Sequence, residues 1–320
     1  MNLLAILAAL GLEQWRAFRW RASVEDAFVE YARRLEHRLN GGERSQGVVA
    51  TILALVPPVA LSALIWGLAH AIHPILGLVV NVVFLYFLMG FRRFSHSLSA
   101  IVAALSTGDL TAARRALAQW RGGWTGDLSS EDIAKLSIER GLCDAYRQVF
   151  AVLFWFTVLP GPTGAVLYRA CVLLTEEWRS AQVGDDMTPI QRSRLEFGRP
   201  ARVLVAILDW LPVRLTALSF AVVGDFEDAV YCWRTQPRDW PLDEGGEPIG
   251  ILLAAGAGAL GVKLGGPVAV LGGEPDFRPE IGIGDAVEPD VLPSAVGLVW
   301  RALVLWLLVI LLVTVAYVAP

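Results

Sequence analysis

The chain has 320 residues, of which 18% are charged and 55% hydrophobic, with a mean hydropathy of +0.52 and a formal net charge of −4. Ordinary soluble domains carry roughly 25% charged residues, so a purely water-facing surface is excluded, and the small net charge gives no footprint for nucleic acid. Cys143, Cys171 and Cys232 are widely separated, which excludes a zinc-finger spacing and a disulfide framework.

Met1 to Leu12 is apolar but short for a membrane span, lacks a basic leader region and runs into Glu13-Gln14-Trp15-Arg16. It is expected to be a membrane-seated helix continuing into an amphipathic stretch, not a cleaved signal peptide. From Ser45 to Gly90 there is no Asp, Glu, Lys or Arg. A span needs about 20 apolar residues, so this run predicts two spans with a turn near His70 to Pro74. Pro57-Pro58 is expected to bend the first of them, because each ring removes a backbone donor.

Phe94 to Leu117 reads as amphipathic and broken at Gly108-Asp109. Ser129-Ser130-Glu131-Asp132 has the pattern of a helix N-cap followed by first-turn acids, and the helix it opens extends to about Phe150. Val149 to Tyr168 and Val203 to Gly224 are apolar but interrupted, by Pro160-Gly161-Pro162 and by Asp209 and Arg214. Both read as re-entrant half-helices. Thr235 to Pro248 and Asp276 to Pro293 are rich in Pro, Gly and acids and read as exposed loops. Ala302 to Pro320 is charge-free and reads as a terminal span. No sustained strand pattern or fixed-period repeat is evident.

The fold expected is therefore an all-α integral membrane protein, with membrane spans, re-entrant half-helices and cytoplasmic amphipathic helices. Its single membrane domain comprises a transmembrane hairpin at 47–91, cytoplasmic helices at 92–148 and broken membrane-associated helices at 149–224. A cytoplasmic glycine-rich segment with loops (225–300) and a terminal span (302–320) complete it. Seven Arg lie between Glu13 and Arg44, and seven Arg plus Lys135 between Phe91 and Arg147. The positive-inside rule places these segments in the cytoplasm, which gives a multi-pass plasma-membrane protein whose main loops are cytoplasmic. The lipid bilayer is the partner this implies, and a homo-oligomer is compatible with it.

Three features could carry chemistry. Asp209 and Arg214 are ionisable residues at membrane depth, where such groups face a partner or a watery cavity. They read either as a polar site at the membrane surface or as an ion pair anchoring two half-helices. Ile249 to Gly273 holds eight glycines. It contains Gly256-Ala-Gly258-Ala-Leu-Gly261, but the residues that follow do not open a helix, as a dinucleotide fingerprint requires. The segment reads as close helix packing through small residues such as Gly261 and Gly265. Alternatively it is a loop offering backbone N–H groups and Lys263 to a phosphate or carboxylate. His70 and His73 stand three apart with no third ligand in view, so no metal site is assigned.

Four stretches resemble the CobD/CbiB family of membrane proteins. They are Gly108-Asp109-Leu110 with Ala113-Arg114-Arg115-Ala116-Leu117, Leu153-Phe154-Trp155 with Pro160-Gly161-Pro162, Ala165 and Tyr168-Arg169, Pro212-Val213-Arg214-Leu215-Thr216-Ala217, and Ala257 to Pro267. The resemblance runs from Phe94 to Pro267 in the family's order. It implies a role late in cobalamin synthesis at the bacterial inner membrane, joining aminopropanol or its phosphate to a corrinoid carboxylate. It also implies use of ATP and a divalent metal, with Glu139, Asp209 and Arg214 as catalytic candidates and Lys263, Gly265, Gly266 and Thr216 as ligand contacts. The chain differs from the synthases' usual pattern at Leu142-Cys143-Asp144, at Val172 to Glu177 and at Val205-Ala206. The start of the chain, Ile207 to Arg214, and Gly224 with Glu227, Ala229 and Trp233 also resemble AmpE, a related inner-membrane protein linked to β-lactamase induction. That resemblance implies a regulatory role without catalysis.

Overall fold

The structure is a computed structural model, described here for residues 2–15, 21–122, 125–179, 188–237, 240–241, 245–268 and 276–318. It is built almost entirely of helices, as expected. Among the described residues three helices are long and apolar enough to cross a membrane: Arg44–Ile72, Arg192–Val223 and Pro289–Ala316. The chain divides into two compact units, Met1–Gly90 with Arg147–Trp210, and Phe91–Tyr146 with Leu211–Pro320.

The first unit contains α1 (Asn2–Trp15), α2 (Arg21–Leu39), α3 (Arg44–Ile72) and α4 (Pro74–Leu88). His73 separates α3 from α4, and its Nδ1 accepts the Ile75 N–H, capping α4 behind Pro74 at its first turn. This is the turn expected between two spans. At 1.5 Å per residue, however, the fifteen residues of α4 rise only about 22 Å, short of the roughly 30 Å hydrocarbon core. The second arm of the hairpin is thus a shorter apolar helix. Its apolar length and that of α3 leave many side chains outward, among them Leu53, Leu61, Leu64, Leu68 and Val79, which suits contact with lipid.

Further along, α8 (Ala151–Val158) and α9 (Thr163–Glu177) are joined at Pro160-Gly161-Pro162, the point at which the sequence suggests a reversal. The amphipathic α2 packs on α3 and α9. Ion pairs tie it down: Arg169 Nη2 to Glu25 at 2.7 Å, Arg33 Nε to Glu177 at 2.9 Å, and Arg194 to Glu36. Burial of the Trp178 indole, which donates to the Ala32 carbonyl at 3.2 Å, completes the contact.

The segment 203–224 requires a correction. No half-helices form there; α10 is continuous from Pro189 to Val223. Pro212 lacks the N–H that would reach the carbonyl of Leu208. That carbonyl instead accepts the Trp155 indole N–H at 3.2 Å. The same device operates in α3, where Pro57 leaves the Leu53 carbonyl without its helical donor and Tyr31 Oη donates to it at 2.8 Å. Apolar surroundings favour satisfied backbone acceptors, and at Leu53 and Leu208 an aromatic side chain supplies the donor that Pro57 and Pro212 lack.

The second unit contains α5 (Phe91–Ser106), α6 (Leu110–Arg121) and α7 (Ser130–Ala145), then α11 (Phe226–Thr235), α12 (Gly246–Leu260) and α13 (Leu292–Val318). The Asp109 carboxylate caps α6 where a break is expected. Ser129 and Asp132 form a reciprocal capping box on α7. Helix α12 is buried along nearly its whole length and packs closely on α11, where a Cβ at Gly258 would stand 2.6 Å from the Asp228 carbonyl oxygen. Small residues do mediate helix packing here, though not Gly261 and Gly265: Gly261 ends α12 and Gly265 lies beyond it.

Two expected loops are structured. Lys263–Val268 (β1) pairs antiparallel with Asp276–Gly282 (β2), so Asp276–Pro293 opens with a strand, and Leu292 already begins α13, ten residues before the expected start at 302. Pro248 likewise lies inside α12. The rest of Thr235–Pro248 falls partly outside the described residues.

Tyr31→Phe removes only the hydroxyl donated to Leu53. It is expected to lower the unfolding free energy by about 1 kcal/mol, read from denaturant melts of the detergent-purified protein. In a Pro57→Ala background, where residue 57 regains its N–H, the loss should largely vanish. An equal loss in both backgrounds contradicts the assignment.

Candidate functional site

A dense polar arrangement among the described residues of the second unit begins at α7. Residues four apart share a helix face, so Glu131, Lys135 and Glu139 form one stripe. It runs from exposed Glu131 to Glu139, which is only 5% exposed. Opposite it stands β1. Its pairing with β2 slips between Leu264 and Gly266, leaving Gly265 out of the ladder. A residue extruded by such a bulge has an unpaired backbone, and here its N–H donates to Glu139 Oε1 at 2.8 Å. Gly265 and Gly266 both sit at φ +74, and a Cβ at Gly265 would lie 2.0 Å from the Pro279 carbonyl oxygen. Only glycine fits there.

Arg278 on β2 completes the arrangement. Its Nη1 donates to Glu139 Oε2 at 2.8 Å and its Nη2 to Oε1 at 3.3 Å. Arg278 is 6% exposed, and its guanidinium carbon lies 5.4 Å from the centre of the Trp240 ring. A planar guanidinium meets a carboxylate with two parallel bonds and stacks on an aromatic face; both occur here. Gln236 holds the end of the same strand, accepting the Gly282 N–H at 2.7 Å and donating to its carbonyl at 3.3 Å.

Beside this buried pair is an open cleft of about 150 Å³, lined by Glu131, Asp132 and Lys135 of α7, Lys263 and Gly265 of β1, and Glu280 of β2. Lys135 lies 3.8 Å from Asp132. Lys263 is exposed. The glycine segment therefore offers its backbone N–H to a carboxylate, one of the ligands considered for it from sequence, but the carboxylate belongs to Glu139 of the same chain. The literal GxGxxG forms the last turns of α12 and its C-cap, with a strand after it, not the strand-then-helix order of a dinucleotide fingerprint.

The remaining candidates lie elsewhere. Asp209 is on α10 in the first unit, 3% exposed, and its Oδ1 accepts the hydroxyl of fully buried Tyr168 at 2.8 Å. Arg214 is half-buried on the following turns of α10. Thr216 is fully buried, and its hydroxyl donates to the Pro212 carbonyl at 2.8 Å. Neither Arg214 nor Thr216 lines the cleft. Asp144 accepts the Trp120 indole N–H at 2.8 Å and lies 3.2 Å from Arg140 Nε. His70 stacks on Trp66, and no group of three metal-ligating side chains is present among the described residues.

Sequence reasoning missed Arg278, Lys135 and Glu280. Two signals existed. Glu131, Lys135 and Glu139 have i, i+4 spacing, and Arg278 is the one basic residue between Lys263 and Arg301. A lone arginine among so many acids invites an ionic partner.

A helical membrane protein with a charged cleft braced by a buried carboxylate–guanidinium pair is what the fold and site define. The model of the CobD/Cbib protein family matches residues 7–299. The chain is 36% identical over 313 residues to "Cobalamin biosynthesis protein CobD" of Stutzerimonas stutzeri, covering 96% of each chain. It is 37% identical over 262 residues to the protein of the same name from Chromobacterium violaceum, covering 80% of this chain and 76% of the relative. No solved structure matches. The chain belongs to the CobD/CbiB family.

Arg278→Met strands the Glu139 carboxylate in a buried site, so a loss of about 3–5 kcal/mol in unfolding free energy is expected. Tyr168→Phe, which removes one donor from Asp209, should cost about 1–3 kcal/mol. Denaturant melts followed by circular dichroism measure both. A loss below 1 kcal/mol for Arg278→Met contradicts the bracing role.

Proposed function

We propose that this protein acts in cobalamin biosynthesis at the cytoplasmic face of the bacterial inner membrane, joining aminopropanol or its phosphate to a corrinoid carboxylate. Family membership and the names of the relatives support the pathway. The observation that carries the reaction is the cleft in which Lys263, Lys135 and the Gly265–Gly266 bulge stand together, fixed by Glu139 and Arg278.

In the proposed reaction an amide C–N bond forms and a carboxylate oxygen departs. That oxygen is a poor leaving group until it carries a phosphoryl group, which ATP with a divalent metal supplies. The amine then attacks the carbonyl carbon, loses a proton, and inorganic phosphate leaves with the oxygen. Fixed cations aimed at developing oxyanions lower such barriers. Lys263 takes that role in the cleft, and Gly265 and Gly266 let the ligand approach the backbone. Glu139 is a positioning residue: it holds the Gly265 N–H and the Arg278 guanidinium and so sets the shape of the bulge. Arg214 and Thr216, in the Pro-x-Arg-Leu-Thr-Ala motif, are assigned to the corrinoid side. Asp209, hydrogen-bonded to Tyr168, supplies the polar group at membrane depth.

A second, non-catalytic reading, with the regulatory role of AmpE, draws on one observation. The Asp144 carboxylate is already engaged by Trp120 and Arg140, and so is committed to structure.

Complementation separates the two. In a strain lacking its own cobinamide-forming synthase, the protein should restore growth that depends on cobalamin made from cobyric acid. Lys263→Ala should lower that rescue at least tenfold while leaving the amount of protein in the membrane unchanged. No rescue by wild-type protein confirmed in the membrane contradicts the synthase reading, and a changed response to cell-wall stress on deletion would then support the regulatory one.

A further inference from the structure

From Leu208 to Ser219, helix α10 departs repeatedly from ordinary helical bonding. Pro212 has no N–H for the Leu208 carbonyl, which takes the Trp155 indole N–H instead. The Thr216 hydroxyl donates back to the Pro212 carbonyl at 2.8 Å, and the Ser219 hydroxyl to the Leu215 carbonyl at 2.7 Å. Such back-bonds bend helices, and sharp kinks fall at prolines. The two arms on either side of Pro212 are held by different neighbours. Before it, Trp155 of α8 grips Leu208, and Tyr168 of α9 bonds the Asp209 carboxylate at 2.8 Å. After it, Ser219 Oγ accepts the Trp306 indole N–H of α13 at 2.7 Å. The chain passes from the first compact unit to the second between Trp210 and Leu211, inside this stretch. Helix α8, which carries Trp155, itself follows a π-helical turn at Tyr146–Phe150, an irregularity frequent at functional sites.

We propose that α10 pivots at Pro212 and that the Trp155 indole is the catch that holds it in the form seen here. While Trp155 donates, the Leu208 carbonyl is satisfied and the helix runs on without bending. When the indole leaves, that carbonyl has no helical donor to return to, because residue 212 is proline. It then tilts outward toward another donor, and the helix opens on that side. The two forms differ by little more than one hydrogen bond, which is the small gap that keeps a second conformation populated. Asp209 stays with the arm held by α8 and α9, whereas Arg214 and Thr216 ride on the other arm. The pivot stands independently of the synthase reading; only its effect on the corrinoid side rests on that reading.

Val222 stands beyond Pro212 on a lever of about 15 Å, so a bend of roughly 20° moves it about 5 Å. Pulsed electron resonance between nitroxides at Arg38→Cys and Val222→Cys, both exposed positions, reads that movement. The measurement uses the full chain in lipid nanodiscs, with Cys143, Cys171 and Cys232 replaced by alanine. Trp155→Phe keeps the packing of a ring and removes the N–H. It should shift or broaden the distance distribution by about 5 Å. In a Pro212→Ala background, where residue 212 regains an N–H for Leu208, the same substitution should leave the distribution unchanged. Hydrogen exchange of the chain with its native cysteines gives a second reading. Amides in 209–216 should exchange about tenfold faster in Trp155→Phe, the effect of one lost hydrogen bond on local opening, and at the parent rate when Pro212→Ala is also present. Unchanged distances and exchange in Trp155→Phe overturn the proposal, even if the melting temperature falls, because Trp155 would then serve packing alone. Equal changes with and without Pro212 overturn it as well.

Discussion

A carboxylate and a guanidinium 139 residues apart in sequence meet inside the second unit, and the geometry of the cleft follows from that contact. Taking two ions out of water is expensive, and the attraction between them offsets the loss only when geometry is good and the remaining hydrogen-bonding capacity is filled. Here two guanidinium bonds and the Gly265 N–H fill the carboxylate, and Trp240 covers the guanidinium. The pair joins α7 to both strands at once. Without Glu139, Gly265 would keep an N–H outside the ladder with nothing to receive it. The bulge, and with it the positions of Lys263 and Glu280, would lose its anchor.

A similar economy governs the apolar helices. Prolines at 57 and 212 interrupt hydrogen bonding inside long helices, yet neither helix breaks, because Tyr31 and Trp155 donate to the carbonyls that the prolines leave free. The amphipathic α2 is held to its unit by Glu25 and Glu36, paired with arginines of α9 and α10, and by Arg33, paired with Glu177 of α9. Each pair at the exposed edge is worth little alone; several on one helix, with the Trp178 indole bonded beneath them, fix its placement.

These differences mark what local sequence carries. The charge-free run before Gly90, the cap at Ser129, the break at Gly108-Asp109 and the reversal at Pro160-Gly161-Pro162 were legible because each is decided by neighbouring residues. The continuity of α10 was not, since the donor that rescues Leu208 comes from residue 155. The strands were not legible either: Leu264-Gly265-Gly266-Pro267 has neither alternation nor β-branched residues, and pairing with a distant segment makes it a strand. Glu139, Lys263, Gly265 and Gly266 were reached through family resemblance and do come together. Their organiser, Arg278, lay in a stretch whose Pro, Gly and acid content reads as loop. The family itself was legible through the resemblance of stretches such as Pro212 to Ala217 and Ala257 to Pro267.

The central claim is that Glu139 and Arg278 act as one unit. A double-mutant cycle of Glu139→Met, Arg278→Met and the double variant, read as unfolding free energy, tests it most directly. Because each single variant strands a buried charge and the double variant strands none, the account predicts a coupling of about 2 kcal/mol or more, with the double variant less damaged than the sum of the singles. Additive losses would contradict it, and the cleft would then need another explanation for its shape.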